Sequence, residues 1–291
     1  MKISALAIGI LVTACVSAWS APEELTKERA QQIADSLKYQ HGTVVLKNGL
    51  ATITLPENLA FLDAAGARTV LSTLWGNPPS DEALGLIVPT GFSPFSASSW
   101  AVEITYDESG YVSDKDANTI NYTSLLKQMQ EGVREVNPER VKEGYPEIQL
   151  IGWAAPPRYD AASHKFYWAK ELQFGSDEDH TLNYSIRVLG RRGVLVLNAI
   201  ASMKDLPQIE KDIPEIISAV NFDEGHRYAD FNPSVDKVAG YGLAALVAGG
   251  VAAKAGLFKG LIAVLIAGKK FVIAGAIALF ALLSRLFKRK A

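Results

Sequence analysis

From Val238 to its C-terminus the chain is built almost entirely of Ala, Gly, Val, Leu, Ile and Phe. It carries eight basic residues there, Lys254, Lys259, Lys269, Lys270, Arg285, Lys288, Arg289 and Lys290, and no acid. A stretch this apolar predicts a membrane anchor, with the terminal basic cluster held on the cytoplasmic side. Val238 to Phe258 spans 21 residues, roughly 31 Å as a helix, which matches a hydrocarbon core and leaves Lys254 near enough to the end to snorkel. Phe271 to Leu283, 13 residues, reaches only roughly 20 Å. Extending it back to Gly260 would set Lys269 and Lys270 in mid-membrane at about 2.5–3.5 kcal/mol each. Neither segment is ideal, so the sequence leaves the exact span open. Lys254, Lys259, Lys269 and Lys270 fall within one half of a helix surface. They flank a single crossing, or they seat a helix on anionic inner-membrane lipid. The spacings Gly249 to Ala253 and Gly256 to Gly260 allow close helix approach, so a homo-oligomer through the glycine-rich tail is a further expectation.

The other end reads as an export signal. Met1 and Lys2 precede an apolar run from Ile3 to Val12 and then small residues up to Ala18, the pattern of a signal peptide occupying residues 1–20. The only cysteine, Cys15, ends Val12-Thr13-Ala14-Cys15, which resembles a lipobox and leaves the peptidase type open. After ordinary cleavage the mature chain has no thiol, which excludes disulfides, zinc-thiolate sites and a cysteine nucleophile. An exported start and a cytoplasmic basic end require an odd number of crossings, and one is simplest. The bulk of the chain would then be periplasmic. Net charge supports the division. The whole chain sums to −2, but with the tail's eight bases and Lys2 set aside, 20 basic and 31 acidic residues remain between Ala21 and Lys237, a net of −11. A domain of that sign repels phosphate backbones, so nucleic acid is excluded as a partner.

Periodicity divides the chain into a signal peptide (1–20), an N-terminal helix and β-hairpin (21–55), an α+β domain (56–237) and the hydrophobic anchor (238–291). Glu23 to Gln40 has an amphipathic helical pattern with Thr26 near its start. Asn48-Gly49 between Thr43–Leu46 and Ala51–Leu55 signals a hairpin. Phe61 to Trp75 suits a helix, Leu84 to Pro89 and Trp100 to Tyr106 suit strands, and Thr123 to Val136 suits a helix stopped by Asn137-Pro138. Four strand-like runs follow, Ile148 to Ala154, Lys165 to Phe174, Leu182 to Leu189 and Val194 to Met203, the last two joined by a turn at Gly190-Arg191-Arg192-Gly193. Leu206 to Val220 closes the domain as a helix. Hairpin-linked strands with helices at intervals predict α+β architecture with a mainly antiparallel sheet.

Five motifs in order carry a resemblance: Trp100 to Tyr106 with Gly110 to Ala117; Gly152-Trp153 with Pro157 to Asp160; Trp168-Ala169-Lys170; Leu182-Asn183-Tyr184 with Arg187 to Arg191; and Tyr241-Gly242-Leu243 with Gly249-Gly250 and Lys254 to Leu257. From about Leu55 to its end the chain resembles the family called domain of unknown function 2167, membrane-anchored proteins of Gram-negative bacteria. The resemblance implies an exported domain with a C-terminal tether and brings no catalytic residue with it. The strand run with one closing helix and Phe222 also resembles the antiparallel sandwich of the photosystem oxygen-evolving subunit.

Chemistry is sparse. Asp114-Lys115-Asp116-Ala117-Asn118 opens like a calcium loop but has Thr119 where Gly belongs and Leu125 where a bidentate Glu belongs, so a turn before a helix is expected. Asp177-Glu178-Asp179-His180 is adjacent in sequence and reads as a solvated hairpin loop. His41, His164 and His226 are scattered, and neither HExxH nor GxSxG occurs. No cofactor or metal is expected. Glu103 and Glu171 lie within strands beside tryptophans and are the candidate pair for a carboxylate hydrolase, although alternation sets Glu103 on a solvated face. Trp100, Trp153, Trp168 and Arg187 are the candidate lining of a ligand groove. Arg191 and Arg192 would hold an anion or form a hairpin tip. The reading is of a non-enzymatic periplasmic binding or scaffolding domain whose partner is an envelope protein or a glycan. The alternatives are a periplasmic hydrolase or an oligomerising membrane element.

Overall fold

The computed structural model describes residues 26–75, 80–96, 100–142 and 146–248. The expected signal peptide, the tail from 249 onward with its glycine spacings, and the basic residues from Lys254 to Lys290 lie outside them. Thr26 caps α1 (Lys27–Asp35), its hydroxyl accepting from the Arg29 N–H at 3.2 Å. Strands β1 (Thr43–Leu46) and β2 (Ala51–Thr54) form the expected hairpin with Thr43 opposite Thr54. Its turn holds Lys47, Asn48 and Gly49 at φ of 42°, 54° and 89°, left-handed values that Asn and Gly adopt at low cost.

Next come β3 (Leu59–Asp63), α2 (Ala64–Arg68), which continues as a π-helical turn through Leu74, β4 (Gly85–Pro89), β5 (Ala101–Asp107), β6 (Tyr111–Ser113) and α3 (Tyr122–Lys142). The long strands β7 (Ile148–Asp160), β8 (Lys165–Phe174), β9 (Thr181–Leu189) and β10 (Val194–Ser202) lead into α4 (Leu206–Ala219) and β11 (Val220–Phe222). The described chain ends with β12 (Val238–Gly242) and α5 (Leu243–Ala248). Seven strands make one antiparallel sheet in the order β3-β4-β5-β10-β9-β8-β7. A second sheet, β1-β2-β11, and the parallel pair β12-β6 complete the topology. The class is α+β and mainly antiparallel, as the hairpin spacing predicts.

Alternation decides what meets what. Val102, Ile104, Leu182, Ile186, Leu195 and Leu197 point from the large sheet toward Ile209, Ile213 and Ile216 of α4 and toward the small sheet. The opposite face is divided. At the β3-β4 end, Leu62, Leu86 and Val88 pack on Ala67 and Val70. At the β7-β8 end, Leu150, Phe166, Trp168 and Phe174 pack on Leu125, Met129 and Val133 of α3, with Leu243 and Leu246 of α5 in the same cluster. The central strands between these two apolar patches carry polar side chains on this face.

Three expectations are corrected. The helix read from Phe61 to Trp75 begins only at Ala64: Leu59 to Leu62 are buried on both faces as strand β3, and Asp63 starts the helix by accepting from the Gly66 N–H at 2.9 Å. Helix α3 does not stop at Asn137-Pro138 but runs through Pro138 to Lys142. A helix-interior proline costs about 3 kcal/mol, and tertiary bonds on either side offset it. Asn137, buried, donates to the Ile148 carbonyl and accepts from the Ile148 N–H, both at 2.9 Å, while Arg140 Nε donates to the Pro146 carbonyl at 3.0 Å. Third, a membrane helix does not begin at Val238. Val238–Gly242 is strand, and Leu243, Leu246, Val247 and Ala248 are buried within the domain. Among the described residues no helix is long and apolar enough to cross a membrane.

Replacing Asn137 by Ala should lower unfolding stability by about 2–4 kcal/mol, because two buried backbone groups of Ile148 lose their partner at once. Urea titration measures it, and a loss below about 0.5 kcal/mol would mean that the amide does not hold β7 to α3.

Candidate functional site

Strand β9 sits between β10 and β8, and its sequence alternates. Leu182, Tyr184, Ile186 and Val188 face α4, while Asn183, Ser185 and Arg187 face the other way. Such a pattern normally puts the polar row in water. Here Asn183 is 1% exposed, Ser185 2% and Arg187 7%, and Lys170 beside them on β8 is 5% exposed. The register sets Lys170 opposite both Asn183 on β9 and Trp153 on β7, and sets Ser185 between Trp168 on β8 and Asn198 on β10. The result is a buried polar patch between the α2 and α3 coverings.

Bonding within the patch is uneven. Arg187 Nη1 donates to the carbonyls of Ile186 (2.9 Å) and Leu197 (3.3 Å) and to Asn198 Oδ1 (3.2 Å), and the guanidinium lies 5.1 Å from the centre of the Trp168 ring. Ser185 Oγ also donates to Asn198 Oδ1, at 3.3 Å. By contrast, both amide atoms of Asn183 and the indole Nε1 of Trp168 and of Trp153 are buried with no hydrogen-bond partner among the described residues. Leaving such groups unpaired costs roughly 1–3 kcal/mol apiece. Burial lowers the Lys170 ammonium from 10.5 to about 8, and the neighbouring Arg187 charge lowers it further in the same direction. Burial likewise brings Arg187 down to about 10, while Asp107 and then Tyr241 act against that shift. Tyr241 Oη donates to Asp107 Oδ2 at 2.8 Å. Glu103 stands across Asn198 on β5, two strands and so about 10 Å from β9.

Of the candidate groove residues, Trp153, Trp168 and Arg187 are brought to this face. Trp100 is not: it lies in the core on the α4 side, 5% exposed. Glu103 and Glu171 do not converge. They are on β5 and β8, and alternation sends Glu103 to the patch side and Glu171 to the α4 side, where His180 Nδ1 lies 2.5 Å from Glu171 Oε1. The acids of the calcium-like loop are used structurally. Asp114 Oδ2 accepts from Tyr159 Oη at 2.7 Å, and Asp116 accepts from the Leu243 and Ala244 N–H groups at 3.2 and 3.3 Å, capping α5. Asp179 pairs with Lys204, and the described residues hold no cluster of three or more His, Cys, Asp or Glu able to bind a metal. Sequence reasoning passed over Lys170 and Asn183, although both stand inside segments that carry the family resemblance.

The turn arginines are also occupied. Arg191 Nε and Arg192 Nε reach the two oxygens of Asp236 at 2.6 and 3.0 Å, and the Asn232 N–H adds a bond at 2.8 Å. These contacts, Arg191 foremost, hold the Asp236 carboxyl well below its ordinary value. Folding therefore favours its ionised form. That stability is complete above the unfolded value of 3.8 and is lost as pH falls from there through the depressed value. Asp236→Asn should lower the urea midpoint at pH 7, with the gap to wild type closing below about pH 4; a gap that stays constant in acid would refute the ion-pair account. Lys170 works in the opposite sense. Below its folded value of about 8 the fold bears the full cost of burying the charge, and the cost fades as pH rises from about 8 to 10.5. Lys170→Met should therefore stabilise the protein at pH 7 by up to roughly 3 kcal/mol, and by progressively less toward pH 10. Denaturant titrations across that range provide the check.

Solved structures with related outlines are distant. The PsbP protein of the cyanobacterium Synechocystis aligns at a TM-score of 0.37 and 10% identity, covering 64% of this chain and 93% of that one. LpqN of Mycobacterium tuberculosis, described as involved in cell envelope biogenesis, aligns at 0.30 and 15%, covering 67% and 96%. The Ran-binding protein Mog1p of Saccharomyces cerevisiae aligns at 0.30 and 11%, covering 68% and 100%. No curated protein matches the chain. The family described as "Protein of unknown function (DUF2167)" matches residues 38–280, most of the chain, and the protein is a member of that family.

Proposed function

We propose that this protein is a non-enzymatic binding domain of the bacterial envelope, exported across the inner membrane and tethered there by its C-terminal segment. The charge division carries the reading. A region at net −11 lies between an export-like leader and a basic apolar tail, and a membrane between domain and basic end accommodates all three. The single-pass topology puts the C-terminus in the cytoplasm and the domain in the periplasm. Binding is favoured over hydrolysis by the separation of Glu103 and Glu171 onto opposite faces of the sheet, since carboxylate catalysis needs two such groups flanking one bond. Homo-oligomerisation through Gly249, Ala253, Gly256 and Gly260 remains part of the proposal, as does an envelope protein or glycan as partner.

Protease added to spheroplasts should digest the domain, whereas intact cells should protect it and an N-terminal antibody should detect only the processed form. Protection in spheroplasts with digestion only after lysis would place the domain in the cytoplasm and end this reading.

A further inference from the structure

Burying two cations on one face of a sheet is expensive, and the strand pairing offers them little relief. Lys170 on β8 and Arg187 on β9 point to the same side, flanking the Trp168–Ser185 pair along the strands, and the Arg187 charge acts on Lys170. Asp107, which acts on Arg187, is engaged by Tyr241, and Glu103 lies beyond Asn198 on β5. Around the two cations stand three further groups with unused donors. Trp168 Nε1, under the Arg187 guanidinium, is buried without a partner, as are Trp153 Nε1 and the whole Asn183 amide, which flank Lys170 on β7 and β9. Elsewhere, buried polar side chains such as Lys165 and Asp212 do have partners: Lys165 Nζ reaches the Ile217 carbonyl and Asn221 Oδ1, and Asp212 accepts from Gln208. Two indole N–H groups and one amide without hydrogen-bond partners among the described residues thus gather beside the two buried cations.

We propose that this patch binds an oxyanion, a phosphate or phosphate ester, held by Lys170 and Arg187 with the Asn183 amide and the Trp168 and Trp153 indoles completing its shell. A planar guanidinium takes two oxygens of such a group while the ammonium supplies a point charge, and indole and amide N–H groups fill the remaining lone pairs. Asn183 Oδ1 is an acceptor, and a monoprotonated phosphate provides the hydroxyl it needs. Bound charge also relieves the repulsion between the two cations, so occupancy should raise the affinity of Lys170 for its proton. The anion is either free in solution or the headgroup of an anionic lipid. The proposal deepens the reading of the protein as a binding domain, but it does not depend on the compartment.

The test uses the full chain extracted in mild detergent and labelled with nitrogen-15 at tryptophan. Inorganic phosphate is titrated in while the indole N–H signals are followed. The Trp168 and Trp153 signals should shift saturably, and Trp75, whose Nε1 donates to the Pro94 carbonyl at 2.9 Å, should not. Lys170→Met should weaken binding roughly tenfold or more, the expected effect of losing one charge-assisted bond in a buried site. Urea titration of the same variant, expected to show stability at least equal to wild type at neutral pH, separates lost binding from misfolding. In a parallel arm, the protein is placed in phosphatidylglycerol or phosphatidylcholine vesicles. Shifts with phosphate identify a free anion, and shifts with phosphatidylglycerol alone identify a headgroup; both support the site. No shift with either probe, or a shift that Lys170→Met leaves unchanged, overturns it. Spheroplast protection from protease would refute the envelope assignment and leave this result standing.

Discussion

Strand β9 is the constraint around which the molecule is organised. It is bonded on both sides, to β10 and β8, and covered on both faces, so each of its nine residues must be satisfied by packing or by hydrogen bonding. One row meets this demand with Leu182, Tyr184, Ile186 and Val188 against α4. The other row carries Asn183, Ser185 and Arg187 in the same seclusion. Only part of that row finds partners within the fold, and the remainder is the most unusual chemistry the described residues contain.

The regular parts of this architecture were legible from the residues. Alternation from Lys165 to Ser202 marks three strands because their apolar positions recur at a spacing of two, and Asn48-Gly49 marks a hairpin because few other pairs adopt left-handed backbone so cheaply. Family membership was legible through motifs strung along the same strands. What failed did so where tertiary contacts override local preference. Pro138 breaks helices in general, but the bonds of Asn137 and Arg140 to the β7 entrance accompany the continuation of α3 through it to Lys142. Phe61 and Leu62 fit a helical pattern, yet pairing with β4 claims them first.

The polar patch was illegible for a different reason. Alternation tells which side chains share a face, and it cannot tell what covers that face. Arg187 and Trp168 are residue types that bind ligands, whereas Lys170 and Asn183 enter the sequence reading only as members of the motifs that carry the family resemblance. Burial, set by chain segments remote in sequence, is what separates a solvated lysine from one brought down to about 8. The same logic reassigns Arg191 and Arg192, which look available in the sequence and are consumed by Asp236 in the fold.

The parallel pair β12-β6 and the cap on α5 bear on how the domain ends. Gly242 lets the Asp116 carboxylate come within 2.6 Å of where a Cβ would stand, and that carboxylate holds the first N–H groups of a helix whose apolar side is buried. A load applied at the C-terminal end of α5 would have to draw that apolar side into water while sliding β12 along β6. Mechanically the junction is a clasp rather than a swivel, and tension reaching it would pass to β6 and the sheet behind it before the chain could pay out.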